Sequence, residues 1–400
     1  MKVLVNDGMA DEGVQVFKDS GFEVDTEHRD LGKLVDEAGG FEAITVRNKT
    51  KVTREVLEAG YAGNLQVVGR AGVGTDNIDL DAANDNRVLV KFAPHGNTNA
   101  AAEQALGLML AVSRNIPQAH VDMIDGVWNK ARYKGTEVSH KTLGIIGCGR
   151  IGQRLANLVS GFGMEVVGYD IQPQPDSPIK YLPLDEVLRS SDYISLHVGG
   201  KDVLIGPDQL EMMKPTSYLI NTSRGVNVDP EALYRALKEG QIAGAGLDVH
   251  AGEPKEGNVY ESGFIGLPNV VLTPHLGAST KEAQILTSIE MAESVVNYLL
   301  RGKFDNSVNA RQAVDNEQKQ VFPLYVQHRD EPGAFANIAR VLADNDINIR
   351  ENPSRQLGPD STVTTVYLIH QHISQKVLGS LEALPIVYRA RANGHASGPS

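Results

Sequence analysis

Gly147, Gly149 and Gly152 stand as G-x-G-x-x-G within Thr142-Leu-Gly-Ile-Ile-Gly-Cys-Gly-Arg-Ile-Gly152, a spacing suited to holding a pyrophosphate. The first glycine permits a tight turn, the second lets a phosphate approach bare backbone, and the third lets helix and strand pack closely. The helix that follows offers free N–H groups and a partial positive charge to the anion. Asp170 comes 18 residues after the last glycine. Its carboxylate suits the two ribose hydroxyls and repels a 2′-phosphate, and no arginine follows in Ile171-Gln-Pro-Gln-Pro. These residues point to NAD rather than NADP, and Arg150, Ile151 and Thr222 are assigned to the same cofactor. A glycine-rich turn that binds nothing is the competing reading, and the placement of the acid weighs against it.

Arg224, Glu253 and His275 are the residues suited to act beside such a cofactor. Oxidation of an alcohol by hydride transfer needs a base for the hydroxyl proton, a cation for a substrate carboxylate, and a group that tunes the base. An imidazole titrates near neutral pH, a guanidinium makes paired hydrogen bonds, and a neighbouring carboxylate raises the pKa of an imidazole. Each residue also has a plain structural reading: His275 follows Pro274 and Glu253 precedes Pro254, both common in turns. Spacing alone does not choose between the two. His197 reads as structural.

These side chains need a scaffold that delivers them to one edge. The apolar run Leu143, Ile145, Ile146 reads as a buried strand. Ile151, Leu155, Leu158, Val159 and Phe162 then recur at helical spacing, and Val166-Val-Gly-Tyr is the next strand. Arg224, Glu253 and His275 each fall at or just past a predicted strand end of this sheet. Asp229, followed by Pro230, caps a helix to Lys238, and Lys281 to Leu300 is a long helix. Asn97 or Thr98 is expected to cap the helix over residues 104–112. Upstream, strands at Lys2–Asn6, Phe41–Val46 and Leu65–Val68 alternate with helices, which implies a second parallel sheet. Two clusters lie at its strand ends. Arg47, Asn48 and Lys49 suit a phosphate or a solvated turn, and Arg70, Val73 and Gly74 suit a carboxylate. From Val321 a β-α-β-β-α order suggests a small ferredoxin-like module. The fold class expected is therefore α/β, with two Rossmann-like parallel-sheet domains and a small α+β domain.

The formal charge of −12 argues against a general nucleic-acid or anionic-membrane binder, so an anionic substrate must meet a local basic cluster. The single cysteine, Cys148, excludes an internal disulfide framework and fits a reducing cytoplasm. It is read as a packing residue. The start Met-Lys-Val-Leu-Val-Asn-Asp brings an acid too early for a signal-peptide core. No metal site is expected. Trp128, the only tryptophan, reads as an anchor for a partner subunit or as ordinary core.

Asn221-Thr-Ser-Arg-Gly225, Gly246-Leu-Asp-Val-His-Ala-Gly-Glu-Pro254 and Thr273-Pro-His-Leu-Gly-Ala-Ser-Thr280, following the glycine fingerprint, resemble the D-2-hydroxyacid dehydrogenase family. Val46-Arg-Asn-Lys-Thr50, Gly72-Val-Gly-Thr-Asp-Asn-Ile-Asp79 and Trp128-Asn-Lys130 resemble its branch acting on a phosphorylated substrate. The resemblance implies that Arg224 binds the substrate carboxyl and carbonyl oxygens, and that Glu253 and His275 are the acid–base pair. It implies that Asp248 contacts the nicotinamide carboxamide, that Arg70 to Gly74 bind carboxylate, and that Arg47 to Lys49 bind phosphate. It implies NAD-dependent oxidation of 3-phospho-D-glycerate to 3-phosphohydroxypyruvate, the entry to serine synthesis. Residues 1–93 with 278–310 become the substrate-binding domain and 94–277 the NAD-binding domain. Leu196-His-Val-Gly-Gly-Lys-Asp202 departs from the family in lacking Pro-Leu-Thr after its strand.

Residues 319–391 resemble an ACT domain, through His328-Arg-Asp-Glu-Pro-Gly333 and Asp346-Ile-Asn-Ile349. That resemblance implies a serine effector at His328, Asp330 and Asn348, although Asp330 stands where an asparagine is common. A dimerisation module with no ligand is the alternative. Residues 306–320 read as a linker and 392–400 as a disordered tail. The assembly expected is a homodimer through the nucleotide domains, or a homotetramer completed by the C-terminal modules. The competing functions are a hydroxypyruvate or glyoxylate reductase and a dinucleotide-sensing partner-binding protein.

Overall fold

The structure, a computed structural model, describes residues 1–200, 202–254, 257–309, 322–351, 354–356, 362–369 and 372–392. The expected tail and most of the expected linker lie outside them. The described chain divides into two compact units, Met1–Gly96 with the residues from Gln284 on, and Asn97–Ala283.

The first unit holds five parallel strands: β1 (Lys2–Val5), β2 (Glu23–Asp25), β3 (Ala43–Val46), β4 (Val67–Arg70) and β5 (Leu89–Phe92). Their order is β2-β1-β3-β4-β5. Leu4, Ile44, Val68 and Val90 pack in one core with Leu57 of helix Arg54–Ala62. Val3, Val5, Val67 and Leu89 pack in another with Met291, Ala292, Val295 and Leu299 of helix Lys281–Arg301. Apolar layers on both sides explain why the strands read as apolar runs rather than alternating ones.

The second unit holds seven parallel strands: β6 (Thr142–Ile146), β7 (Glu165–Tyr169), β8 (Lys180–Tyr181), β9 (Tyr193–Leu196), β10 (Tyr218–Asn221), β11 (Gly244–Leu247) and β12 (Val270–Leu272). Their order is β12-β11-β10-β9-β6-β7-β8. Strand order reverses between β6 and β9, which opens a crevice at their carboxyl ends, where doubly wound sheets bind ligands. Asp229 caps helix Pro230–Lys238, accepting from the N–H groups of Glu231 and Ala232. The cap expected from Asn97 or Thr98 is not made. Asn97 has φ −104° and ψ 3°, not the extended geometry of a capping residue, and its side chain makes no cap bond. Trp128 is 79 % exposed, so it is not core.

The remaining described strands form an antiparallel sheet within the first unit. They are β13 (Phe322–Arg329), β14 (Ile349–Glu351), β15 (Ser354–Gln356), β16 (Thr362–Ile369) and β17 (Val387–Ala392). The order is β14-β16-β13-β17, with β15 also on β16 and helices Ala334–Ala343 and Gln375–Glu382 in the connections. Arg389 donates to the carbonyls of Tyr61 and Gly63, and Arg391 to those of Gly63 and Asn64. The module thus grips the turn between helix Arg54–Ala62 and β4.

Candidate active site

The glycine loop sits at the carboxyl end of β6. Gly147 has φ +91°, and a Cβ there would come within 2.5 Å of the His197 carbonyl oxygen. A Cβ on Gly152 would meet the Gly147 carbonyl oxygen at 2.5 Å, whereas one on Gly149 would meet nothing within 4 Å. The first and third glycines are therefore required by the fold, and the second leaves a cradle open for a ligand. Arg150 opens helix Arg150–Val159 with no side-chain cap from Gly149. Asp170 Oδ2 accepts the N–H of Cys148 at 2.7 Å and Oδ1 that of Gln172 at 2.8 Å, which fixes the acid beside the loop. Ile151 is half-buried behind it. The Thr222 hydroxyl is buried with no hydrogen-bond partner among the described residues. A buried hydroxyl left unmatched, an open cradle and a fixed carboxylate fit a dinucleotide. Burial and the charge of Asp170 push the Cys148 thiol up to about 12, so it is unreactive. Burial pushes His197 down to about 4, and this neutral ring pairs with Ser195.

Arg224, Glu253 and His275 follow β10, β11 and β12, three adjacent strands of the same parallel sheet. Their side chains therefore belong to one edge, the one that carries the glycine loop. Glu253 Oε2 lies 2.9 Å from His275 Nδ1. That hydrogen bond raises the His275 pKa above its ordinary value, against the opposing effect of burial; the Glu253 and Asp248 charges add to the rise and Arg224 reduces it. Burial pushes the Glu253 carboxyl up, but the bond and charge of His275 and the N–H of His250 outweigh it, so the net shift is down. The Arg224 guanidinium donates to the Ser223 carbonyl at 2.9 Å, and Asn221 donates to the Arg224 carbonyl at 2.9 Å.

His275 has φ +56°, a left-handed backbone unusual for a residue with a Cβ. Its N–H donates to the Asp248 carbonyl at 2.8 Å. The Asp248 carboxylate holds the rest of the turn. Oδ1 accepts from Thr273 Oγ1 at 2.6 Å, Leu276 N at 2.8 Å and Gln104 at 3.2 Å, and Oδ2 accepts from Gly277 N at 2.8 Å. The residue is 0 % exposed and its oxygens are engaged by protein donors, so it shapes the His275 turn.

In the first unit, two clusters separated in sequence meet. Asn48 Oδ1 accepts a hydrogen bond from the Arg70 guanidinium, joining the loop after β3 to the one after β4. Asp7 shapes the first loop by accepting the N–H groups of Arg47 and Thr50, and Asn77 donates to the carbonyls of Arg47 and Thr50. Lys49 is exposed, and Val73 and Gly74 are half-buried in the second loop. The sequence offered no signal for the Asn48–Arg70 contact.

In the C-terminal module His328 is 0 % exposed. Its Nδ1 faces the Arg329 carbonyl at 2.7 Å and its Nε2 the Thr365 hydroxyl at 2.8 Å. Both ring nitrogens therefore have partners inside the module. Asp330 lines an open depression with Gly333 and Phe335, and Asn348 is exposed. No group of three or more His, Cys, Asp or Glu suited to a metal occurs among the described residues.

Residues 106–277 match the family described as D-isomer specific 2-hydroxyacid dehydrogenase, NAD binding domain. A D-3-phosphoglycerate dehydrogenase of Archaeoglobus fulgidus is 40 % identical over 317 residues, 77 % of this chain and 59 % of that protein. This chain therefore spans less than two thirds of that relative's length. A hydroxypyruvate reductase of Thermotoga maritima is 39 % identical over 303 residues, 74 % of this chain and 98 % of that protein. The solved NAD-complexed D-isomer specific 2-hydroxyacid dehydrogenase of Lactobacillus delbrueckii ssp. bulgaricus aligns with a TM-score of 0.65 at 28 % identity, covering 77 % of this chain and 100 % of that one. The chain belongs to the D-isomer specific 2-hydroxyacid dehydrogenases, and its cofactor is NAD.

Proposed function

We propose that this protein is a D-3-phosphoglycerate dehydrogenase, oxidising 3-phospho-D-glycerate to 3-phosphohydroxypyruvate as the first step of serine biosynthesis. The observation that carries the reading is the Glu253–His275 contact on the sheet edge that also bears Arg224 and the glycine loop. Bound NAD supplies the hydride acceptor. Glu253 occupies Nδ1 of His275, which leaves Nε2 to take the substrate hydroxyl proton as the carbonyl forms. Arg224 holds the carboxylate by paired hydrogen bonds and polarises the nascent carbonyl. Thr222, Asp170 and the loop from Gly147 to Gly152 hold the dinucleotide, and Asp248 meets its nicotinamide carboxamide.

The choice of a phosphorylated substrate rests on Arg47, Asn48 and Lys49, with Arg70, Val73 and Gly74 on the carboxylate. It is supported by the relative from Archaeoglobus fulgidus. Replacing Arg47 and Lys49 together by alanine tests it in steady-state turnover with NAD. Selective loss on 3-phospho-D-glycerate, with unphosphorylated 2-hydroxy acids unaffected, is expected. An unchanged preference refutes the phosphate site. The second reading, reduction of hydroxypyruvate, is favoured by the relative from Thermotoga maritima, which this chain covers almost entirely.

The C-terminal module is read as an ACT domain with a serine effector near His328, Asp330 and Asn348. Its hold on the 61–64 turn supports a regulatory role, because that turn joins the helix after the Arg47 loop to the strand that ends in Arg70. Exposed Val121, Ile124, Val127 and Trp128 support a homodimer through the nucleotide domain. No helix among the described residues is long and apolar enough to cross a membrane. A single buried thiol fits a cytoplasmic setting.

A further inference from the structure

A second histidine touches this site without a part in the proton transfer. His250 lies in the loop after β11, between Asp248 and Glu253. Its main-chain N–H donates to Glu253 Oε1 at 3.1 Å, the oxygen that His275 leaves over. Its ring Nε2 lies 2.9 Å from the Thr273 carbonyl oxygen, in the loop that carries His275. A carbonyl only accepts, so Nε2 bears the proton and Nδ1 is the acceptor. Nδ1 is met at 3.1 Å by the Tyr260 hydroxyl, and the two rings touch with centroids 4.8 Å apart. Gly225, the neighbour of Arg224, packs so closely on the same residue that a Cβ there would come within 2.1 Å of the His250 carbonyl carbon.

We propose that His250 is a positioning residue for the acid–base pair, a junction where the loops bearing Arg224, Glu253 and His275 are tied together. The inference rests on the acid–base reading of Glu253 and His275. The Glu253 loop and the His275 loop leave different strands, and the hydrogen bond between their carboxylate and imidazole holds only if the loops keep their separation. The His250 ring spans that gap from its own backbone to Thr273 O, the same carbonyl that accepts the His275 N–H at 3.1 Å. Tyr260 holds the ring in the tautomer and orientation that make the bridge. A displacement of the order of 1 Å in such a pair costs about a hundredfold in rate.

The test compares His250→Phe, which keeps a ring against Tyr260 but has no donor for Thr273 O, with His250→Gln, which restores a donor. Steady-state kinetics with NAD and 3-phospho-D-glycerate are read across pH, with thermal unfolding alongside. His250→Phe is expected to lose about ten- to a hundredfold in kcat with little change in either KM. The pH limb belonging to His275, which Glu253, Asp248 and Arg224 face, should move to lower pH as the Glu253 contact loosens. His250→Gln should recover most of the rate and return the limb. Wild-type kcat and an unmoved limb in His250→Phe overturn the proposal. So does a loss that glutamine fails to rescue and that simply follows a lowered Tm. A wild-type enzyme that turns over no hydroxy acid with NAD refutes the acid–base reading itself, which is a different result from an active wild type with an equally active His250→Phe.

Discussion

Nδ1 of His275 sits 2.9 Å from Oε2 of Glu253, and the left-handed backbone of His275 presents the ring to that carboxylate. The contact raises the imidazole's pKa. In the oxidation direction the ring must be neutral to accept a proton, so activity rises with pH through this raised value. Glu253→Gln removes the charge that holds the proton on. The rising limb of kcat/KM against pH should then move to lower pH while the plateau rate falls. A limb that stays in place in this variant contradicts the role given to Glu253.

Asp248 makes a separate prediction. Its carboxylate accepts the N–H groups of Leu276 and Gly277 from a buried position, so Asp248→Asn turns one acceptor into a donor facing an N–H. An unsatisfied buried group of this kind costs about 1–3 kcal/mol. Chemical denaturation should show a loss of that size, and turnover should fall with it because the His275 turn loosens. Unaltered stability would contradict this structural role, and lost NAD affinity would bear out the contact with the nicotinamide carboxamide.

Asp170 is fixed beside the loop by the N–H groups of Cys148 and Gln172. Its negative charge should discriminate against a 2′-phosphate. Asp170→Ala is expected to lower the NAD/NADP preference by at least tenfold in kcat/KM, through weaker NAD and better-tolerated NADP. An unchanged ratio rejects this assignment.

The parts legible in the sequence are those where one local pattern implies one local structure. Gly147, Gly149 and Gly152 mark the turn because each has a distinct steric reason, and apolar runs mark parallel strands because both faces are covered. The meeting of Glu253 with His275 was legible only through the family motifs around them, because following strands of one sheet leaves both residues open to a plain turn reading. Contacts made by side chains folding back on their own loops were not. Nothing in the composition of Gly246-Leu-Asp-Val-His250 says that Asp248 turns inward to hold four donors, or that His250 bridges to Thr273. Nor does the order of residues tell a buried His328, satisfied by Thr365 from a distant strand, from an exposed one. These outcomes depend on which polar groups the packed chain leaves unmatched, a property of the whole fold.

The most direct measurement is NADH formation from 3-phospho-D-glycerate by the wild-type protein and by His275→Ala, with NAD affinity determined on both by calorimetry. Turnover should be present in the wild type and fall by about 10²- to 10⁴-fold in the variant, with NAD affinity unchanged. A variant that turns over at the wild-type rate would contradict the assignment of His275 as the base.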